Sequence, residues 1–306
     1  MIRIIEHDQI DKRRWDACID NSAEACVYAS SWYLDIVCPG WKAMISDEYT
    51  SVFPLCQRKK FGISYLFQPP YTQQLGLFNS LSGTDTVLKD FLNVIAERYR
   101  FVEIQLNYRN SGSEIPGPFS KYERPTHLLD LKPAYPDLEK NFSENTIRNI
   151  RRFQKSGIKI ISGVDPLEVI TLFSENKGAG LVKNIDKEYT VIKAICTGAG
   201  QRKLLICNGV RNDKGKLIAG AVFLKSHEGY ILLFTGLNPE GKKTGCMSAL
   251  LSNFISEHSG SKGILDFEGS MDPGIARFYK SFGSHEIVYL QIRLNRLPLA
   301  IRWLKK

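Results

Sequence analysis

The sequence has no long apolar run, no paired cysteines and no histidine cluster, and each gap removes a class of function. None of its 306 residues lies in an apolar stretch near the ~20 residues that span a bilayer, so no transmembrane segment is expected. The opening, MIRIIEHDQIDKRRW, is broken by charge before a signal-peptide apolar region could form, and the chain is expected to stay in the cytoplasm. Seven cysteines, Cys18, Cys26, Cys38, Cys56, Cys196, Cys207 and Cys246, make an odd number with no CxxC pair. They read as small buried hydrophobes in a reducing compartment. The five histidines are dispersed, so no HExxH, catalytic-triad or facial-triad pattern can be assembled, and no metal is expected.

What is present favours a folded two-domain chain. Hydrophobic residues at 43% supply a core and charged residues at 24% keep it soluble, while the length suits two domains rather than one. We divide it at 1–125 and 126–306, with the tail 288–306 a candidate to pack back on the first domain. The net charge of +9 points to phosphates, nucleic acid or anionic headgroups, provided that the charge is clustered.

In the first third, Asp11 to Ile19, Ser31 to Val37 and Lys89 to Arg98 read as helices. Ala43 to Cys56 reads as a hairpin about Ser46-Asp47-Glu48, and Phe101 to Leu106 as a strand. Ser111 to Pro125, rich in Gly, Ser and Pro, reads as a loop between domains. A strand His127 to Leu131 follows, then one helix from Pro136 to Ser156 stopped by Gly157. Strand Lys159 to Ile161 and helices Pro166 to Glu175 and Tyr189 to Thr197 come next.

Leu204 to Val210, Lys216 to Leu224 and Tyr230 to Leu237 are strand-like runs separated by the turn-formers Asn212 to Gly215 and Ser226 to Gly229, an antiparallel meander. A glycine-bearing loop, Asn238 to Gly245, then enters a helix with Met247, Leu250, Leu251, Phe254 and Ile255 at helical spacing. Strand Gly263 to Glu268, helix Gly274 to Phe282 and strand Glu286 to Ile292 complete the unit. The tail RWLKK is basic and amphipathic, which is the whole case for weak peripheral membrane contact.

The clustered charge lies in Asn145 to Gly157. Arg148, Arg151, Arg152 and Lys155 fall at i, i+3, i+4 and i+7, one cationic face that repels itself unless an anion relieves it. A solvated face and an anion site are both open readings. Gly236, Gly241 and Lys242 nearly spell a P-loop, but Lys243 stands where a Ser or Thr must hold Mg²⁺, and a meander is the wrong sheet for it.

The order of three strands, loop, helix, strand, helix, strand resembles the cofactor half of a GNAT acyltransferase domain. That resemblance implies that Leu237, Asn238, Gly241, Lys242, Lys243, Thr244 and Gly245 face the phosphates of acetyl-CoA or another acyl-CoA, with amides at a helix N-terminus. The family's Gly or Ala position is taken by Met247. Tyr279, four residues before Gly283, matches the GNAT tyrosine that protonates the departing thiolate; a packing tyrosine is the other reading. Asp266 and Glu268, set on one strand face with Phe267 opposite, are candidates to orient or deprotonate an acceptor amine, or else simple hydrogen-bonding carboxylates.

His127 to Leu131, the Arg-Asn-x-x-Arg-like run Arg148 to Arg152 and Lys155-Ser156-Gly157 resemble the Fem family of aminoacyl-tRNA-dependent transferases. The resemblance implies an α/β (α+β) chain of two tandem GNAT-like domains, each a mixed, mostly antiparallel sheet flanked by helices. It also implies tRNA as a partner. Trp32 is followed by Tyr33-Leu34-Asp35-Ile36-Val37-Cys38 with no lysine, a departure from Fem enzymes that use a UDP-linked peptidoglycan precursor. Tyr71, Gln73 and Gln74 are the first domain's candidate contribution to a cleft. The expected activity is transfer of an acyl or aminoacyl group from acyl-CoA or aminoacyl-tRNA to an amine, with Arg148, Arg151, Arg152 and Lys155 binding substrate. A non-catalytic anion- or RNA-binding protein of the same fold is the competing expectation.

Overall fold

The computed structural model describes residues 1–80, 85–176, 185–227, 229–269 and 271–302. Glu228, Ser270 and, apart from Arg302, the RWLKK tail therefore lie outside the described residues. The chain forms two compact units, one of 1–125 with 287–306 and the other of 126–286.

The first unit opens with β1 (Ile2–Ile5), α1 (Lys12–Asp20) and α2 (Ser31–Val37), followed by β2 (Lys42–Ser46) and β3 (Ser51–Leu55). It continues through β4 (Gln57–Lys60), β5 (Ile63–Phe67), β6 (Phe78–Asn79), α3 (Asp85–Arg98) and β7 (Phe101–Gln105). Asp11 caps α1 by accepting from the amides of Arg13 and Arg14. Strands β1-β2-β3-β6 form one sheet in that order, with antiparallel register from Ile2 opposite Ser46 and from Lys42 opposite Leu55. Leu88, Phe91, Leu92 and Ile95, at helical spacing on α3, pack against Leu66, Val102 and Ile104.

β8 (Ser120–Asp130) leads into the second unit. There follow α4 (Tyr135–Glu139), α5 (Glu144–Lys155), β9 (Ile160–Ser162), α6 (Pro166–Asn176), α7 (Ile185–Gln201), β10 (Leu205–Arg211), β11 (Leu217–Ser226) and β12 (Gly229–Leu237). α8 (Pro239–Thr244), α9 (Cys246–His258), β13 (Ile264–Asp266) and α10 (Pro273–Lys280) complete it; β14 (His285–Asn295) and α11 (Leu299–Arg302) then return to the first unit. Its strands run β8-β13-β12-β11-β10-β9, antiparallel except for β12 beside β13. α9 covers one sheet face, where Phe254 stacks on Phe223 with centroids 3.6 Å apart. α6 covers the other, over Gly209, Gly220 and Gly236, which stand directly opposite one another in the register. A Cβ on Gly220 would lie 2.5 Å from Val169 Cγ2, so bare backbone is what lets α6 seat. The P-loop-like Gly236 thus serves packing.

Three segments differ in kind from the sequence reading, beyond shifts of a few residues at element ends. β8 begins at Ser120, inside the stretch read as loop, because its polar residues form an exposed strand end. The single helix over 136–156 is two, since Ser143 restarts it: its hydroxyl accepts from the Thr146 amide, and its own amide donates to Ser281 O. The loop Asn238 to Gly245 is helical, with Asn238 as cap and Pro239 in the first turn.

Candidate functional site

The cationic residues of α5 face outward together. Arg148, Arg151, Arg152 and Lys155 are exposed, whereas Ile150 and Phe153 are buried, the division that the 3.6-residue period imposes. They line a groove of about 780 Å³ with Lys140, Phe142, Ile147 and two carboxylates, Glu139 and Glu144. Arg152 reaches α8, donating to Lys243 O at 3.3 Å, so the exposed Lys242 and Lys243 extend the same basic surface.

The amides of Gly241, Lys242 and Gly245 are already engaged. The Asn238 side chain accepts from the Gly241 amide at 2.8 Å, the Lys242 amide donates to Asn238 O, and the Gly245 amide donates to Gly241 O and Lys242 O. Leu237 is paired with Ala219 in the sheet, and the Thr244 hydroxyl turns back to the carbonyls of Glu240 and Gly241. At the break between the two helices Gly245 adopts φ +80, and a Cβ there would lie 2.4 Å from Asn149 O of α5. Phosphate would therefore meet side chains rather than the amides of Gly241, Lys242 and Gly245. Gly245→Ala combines a left-handed backbone with a clash against α5, and is expected to cost about 3 kcal/mol in urea unfolding.

β13 pairs along its whole length with the start of β12 alone, Ile264, Leu265 and Asp266 opposite Gly229, Tyr230 and Ile231. β12 runs on to Leu237, while the chain after β13 follows β8, with the Phe267 amide donating to His127 O at 2.9 Å. The two parallel strands part just where Asp266 stands.

Asp266 Oδ1 accepts from Thr126 Oγ1 at 2.7 Å and from the Glu268 amide at 2.8 Å. Burial outweighs both bonds and pushes the carboxyl up to about 6, into the range of a neutral-pH base. Glu268, at φ 60, has left the strand, so the expected alternation of Asp266 and Glu268 ends at Asp266. Tyr279 on α10 stacks on Phe267 at 5.2 Å, and burial, then Glu268 and Asp266, hold its phenol well above the ordinary value. It stays protonated, a donor and never a base. The carboxylates and the tyrosine are thus brought within each other's fields.

α10 and α5 are stitched together by Thr146 Oγ1 donating to Ser281 Oγ at 2.7 Å, which joins Tyr279's helix to the basic one.

Two neighbours carried no functional signal in the sequence. Thr126 precedes the strand as it was read. His127 is fully buried 6.2 Å from the Tyr279 ring, neither ring nitrogen has a hydrogen-bond partner, and burial keeps it neutral. Neither a polar residue at 126 nor a dispersed histidine at 127 offers a periodic signal that could have found them. In the first unit, Gln74 is buried, accepts from the Tyr108 amide and donates to Gln73 Oε1, and the Tyr71 carbonyl accepts from Tyr33. These residues brace their own loop. Among the described residues no group of three or more His, Cys, Asp or Glu could hold a metal, and no helix is long and apolar enough to cross a membrane.

FemX is 13% identical and aligns over 99% of this chain and 99% of its own, with a TM-score of 0.66. The chain has a Fem-type tandem GNAT fold. The C-terminal domain of a putative lysylphosphatidylglycerol synthetase from Agrobacterium fabrum is also similar, at 9% identity over 96% of this chain and 93% of that one, TM-score 0.56. So is L-PGS from Bacillus licheniformis, at 10% identity over 96% and 94%, TM-score 0.54. No family model matches the sequence, and no curated protein matches it. At identities this low the likeness establishes the fold alone.

Proposed function

We propose that the chain is an aminoacyltransferase, moving an aminoacyl group from tRNA to an amine. The observation that carries this reading is the contrast on one surface between committed amides at Gly241, Lys242 and Gly245 and an open row of cations on α5. A pyrophosphate cradle needs free amides converging on one point, whereas a polynucleotide backbone needs cations spread along a line. α5 supplies the second.

In the reaction the acceptor amine attacks the ester carbonyl carbon. The new N–C bond forms as the C–O bond to the ribose breaks. The amine's proton passes to the Asp266 carboxylate, and the departing ribose oxygen takes a proton from Tyr279, which Asp266 then restores through solvent. A phenol with a raised pKa suits an alkoxide leaving group better than a thiolate of pKa about 8.5, since proton transfer works best between matched groups. Thr126 and the Glu268 amide hold Asp266 in place for this role.

Tyr279→Phe is expected to lower the single-turnover rate about tenfold to a hundredfold and leave tRNA affinity unchanged. Equal loss of binding would remove the tyrosine from the chemistry. Acyl-CoA as donor is the second reading, favoured by the parting of β12 and β13, which in a GNAT unit is a slot for a pantetheine arm. Titration with acetyl-CoA and with charged tRNA separates the two: saturable, salt-insensitive acetyl-CoA binding without tRNA binding would overturn the aminoacyl reading.

A further inference from the structure

The sheet of β4, β5, β7 and β14 buries one face on α3, and its other face is built for something else. There a cavity of about 270 Å³, formed wholly by the first unit, is lined by Arg58, Tyr65, Phe67, Glu103, Gln105 and Gln291. An ordinary solvated sheet face carries mobile charges. This one has a fixed floor: Gln291, only 7% exposed, accepts from Arg124 Nε at 2.7 Å and donates to Glu103 Oε1 at 3.1 Å. The carboxamide cannot turn over, so Glu103 is gripped by one oxygen.

Arg58 is held too, its guanidinium 4.0 Å from the centroid of Phe67, the residue directly opposite Glu103 in the register. Contact with the ring face consumes none of the guanidinium's N–H donors, and a guanidinium takes a carboxylate by two parallel bonds. Among the described residues neither Arg58 nor Glu103 is engaged in an ion pair, although both line one small cavity. Gln105 adds a carboxamide with no side-chain hydrogen bond of its own.

A polyphosphate is disfavoured by Glu103 in the floor, an acyl chain by the polar lining, and a metal by the single carboxylate. A neutral sugar would leave both charges without a counter-charge. A zwitterion of small size satisfies all three groups at once.

We propose that this cavity binds a free α-amino acid, its carboxylate on the Arg58 fork and its ammonium on Glu103, with Tyr65 and Phe67 as walls. The site is independent of α5 and of the donor. The test is calorimetric titration of the full chain, without tRNA, using L-alanine, L-leucine and L-lysine as probes. N-acetyl-L-alanine, L-alaninamide and N-acetylglucosamine serve as controls.

At least one of the three amino acids should bind saturably. The blocked alanines should bind about tenfold or more weakly than L-alanine or not at all, and Arg58→Ala and Glu103→Gln should each weaken the amino acid about tenfold or more. Arg58 is exposed, so R58A gives a folded control even if E103Q loosens the floor. No binding by all three probes, equal binding of the blocked analogues, or N-acetylglucosamine binding that these substitutions abolish would overturn the assignment. Each of those results leaves the tRNA reading untouched, because no nucleic acid is in the cell.

Discussion

Replacing Arg148, Arg151, Arg152 and Lys155 together by alanine is expected to weaken tRNA binding about a thousandfold at 0.15 M salt. Each phosphate contact adds about 0.9 to the slope of log K against log salt, so four contacts are worth about 3 decades at that ionic strength. The slope itself should fall by between 3 and 4, a signature that general unfolding would not produce. Stability should hold, because all four side chains are exposed and their removal relieves repulsion of some tenths of a kcal/mol per pair. Filter binding across a salt series, with circular dichroism of the same preparation, reads both. An unchanged slope would mean that the basic face is merely solvated and that the proposed donor is wrong.

Asp266→Asn should make the protein more stable and less active. The carboxyl has an ordinary value of 3.8 and is pushed up to about 6 by burial, so the folded state favours its neutral form. Its contribution is fully present below pH 3.8 and is lost as pH rises through 6. A shift of this size corresponds to about 3 kcal/mol, at 1.36 kcal/mol per pH unit. Both hydrogen bonds fall on Oδ1, and an asparagine oxygen in that place keeps them. The variant should therefore exceed the parent by up to about 3 kcal/mol at pH 8 and match it near pH 3.8. Single-turnover transfer should fall about a hundredfold or more, with loss of the parent's rise in rate through pH 6. A variant that is no more stable at pH 8 would show that Asp266 does not ionise under strain, and the base assignment would fail.

The neutral His127 fits the same trade. Two unpartnered ring nitrogens in a fully buried side chain cost stability, and they stand beside the groups proposed to move protons. Such burdens gather at functional sites because packing alone would replace them with an apolar residue.

Local order was legible in the residues wherever a periodic pattern met its own stop signals. The meander from Leu204 to Leu237, helix α9 and the outward face of α5 all follow from spacing, because a side chain's direction on a helix or strand is fixed by its position in the period. The break at Ser143 was harder. Its cap lies within an unbroken helical pattern, and the amide that ends the preceding stretch donates to Ser281, distant in sequence. For Asn238 to Gly245 the glycines spoke for a loop, while Asn238-Pro239 carried the helix-start signal that prevailed.

By itself, then, the sequence determined most of the helices and strands, and which cations share a face. Both depend on neighbours a few residues apart. Only the tertiary structure decided that α5 backbone would lie against Gly245, that Asp266 would be desolvated beside Thr126, and that Arg58 and Glu103 would share a cavity. Those outcomes depend on which distant chains exclude water from a group, and burial is a property of the packed whole that no local pattern encodes.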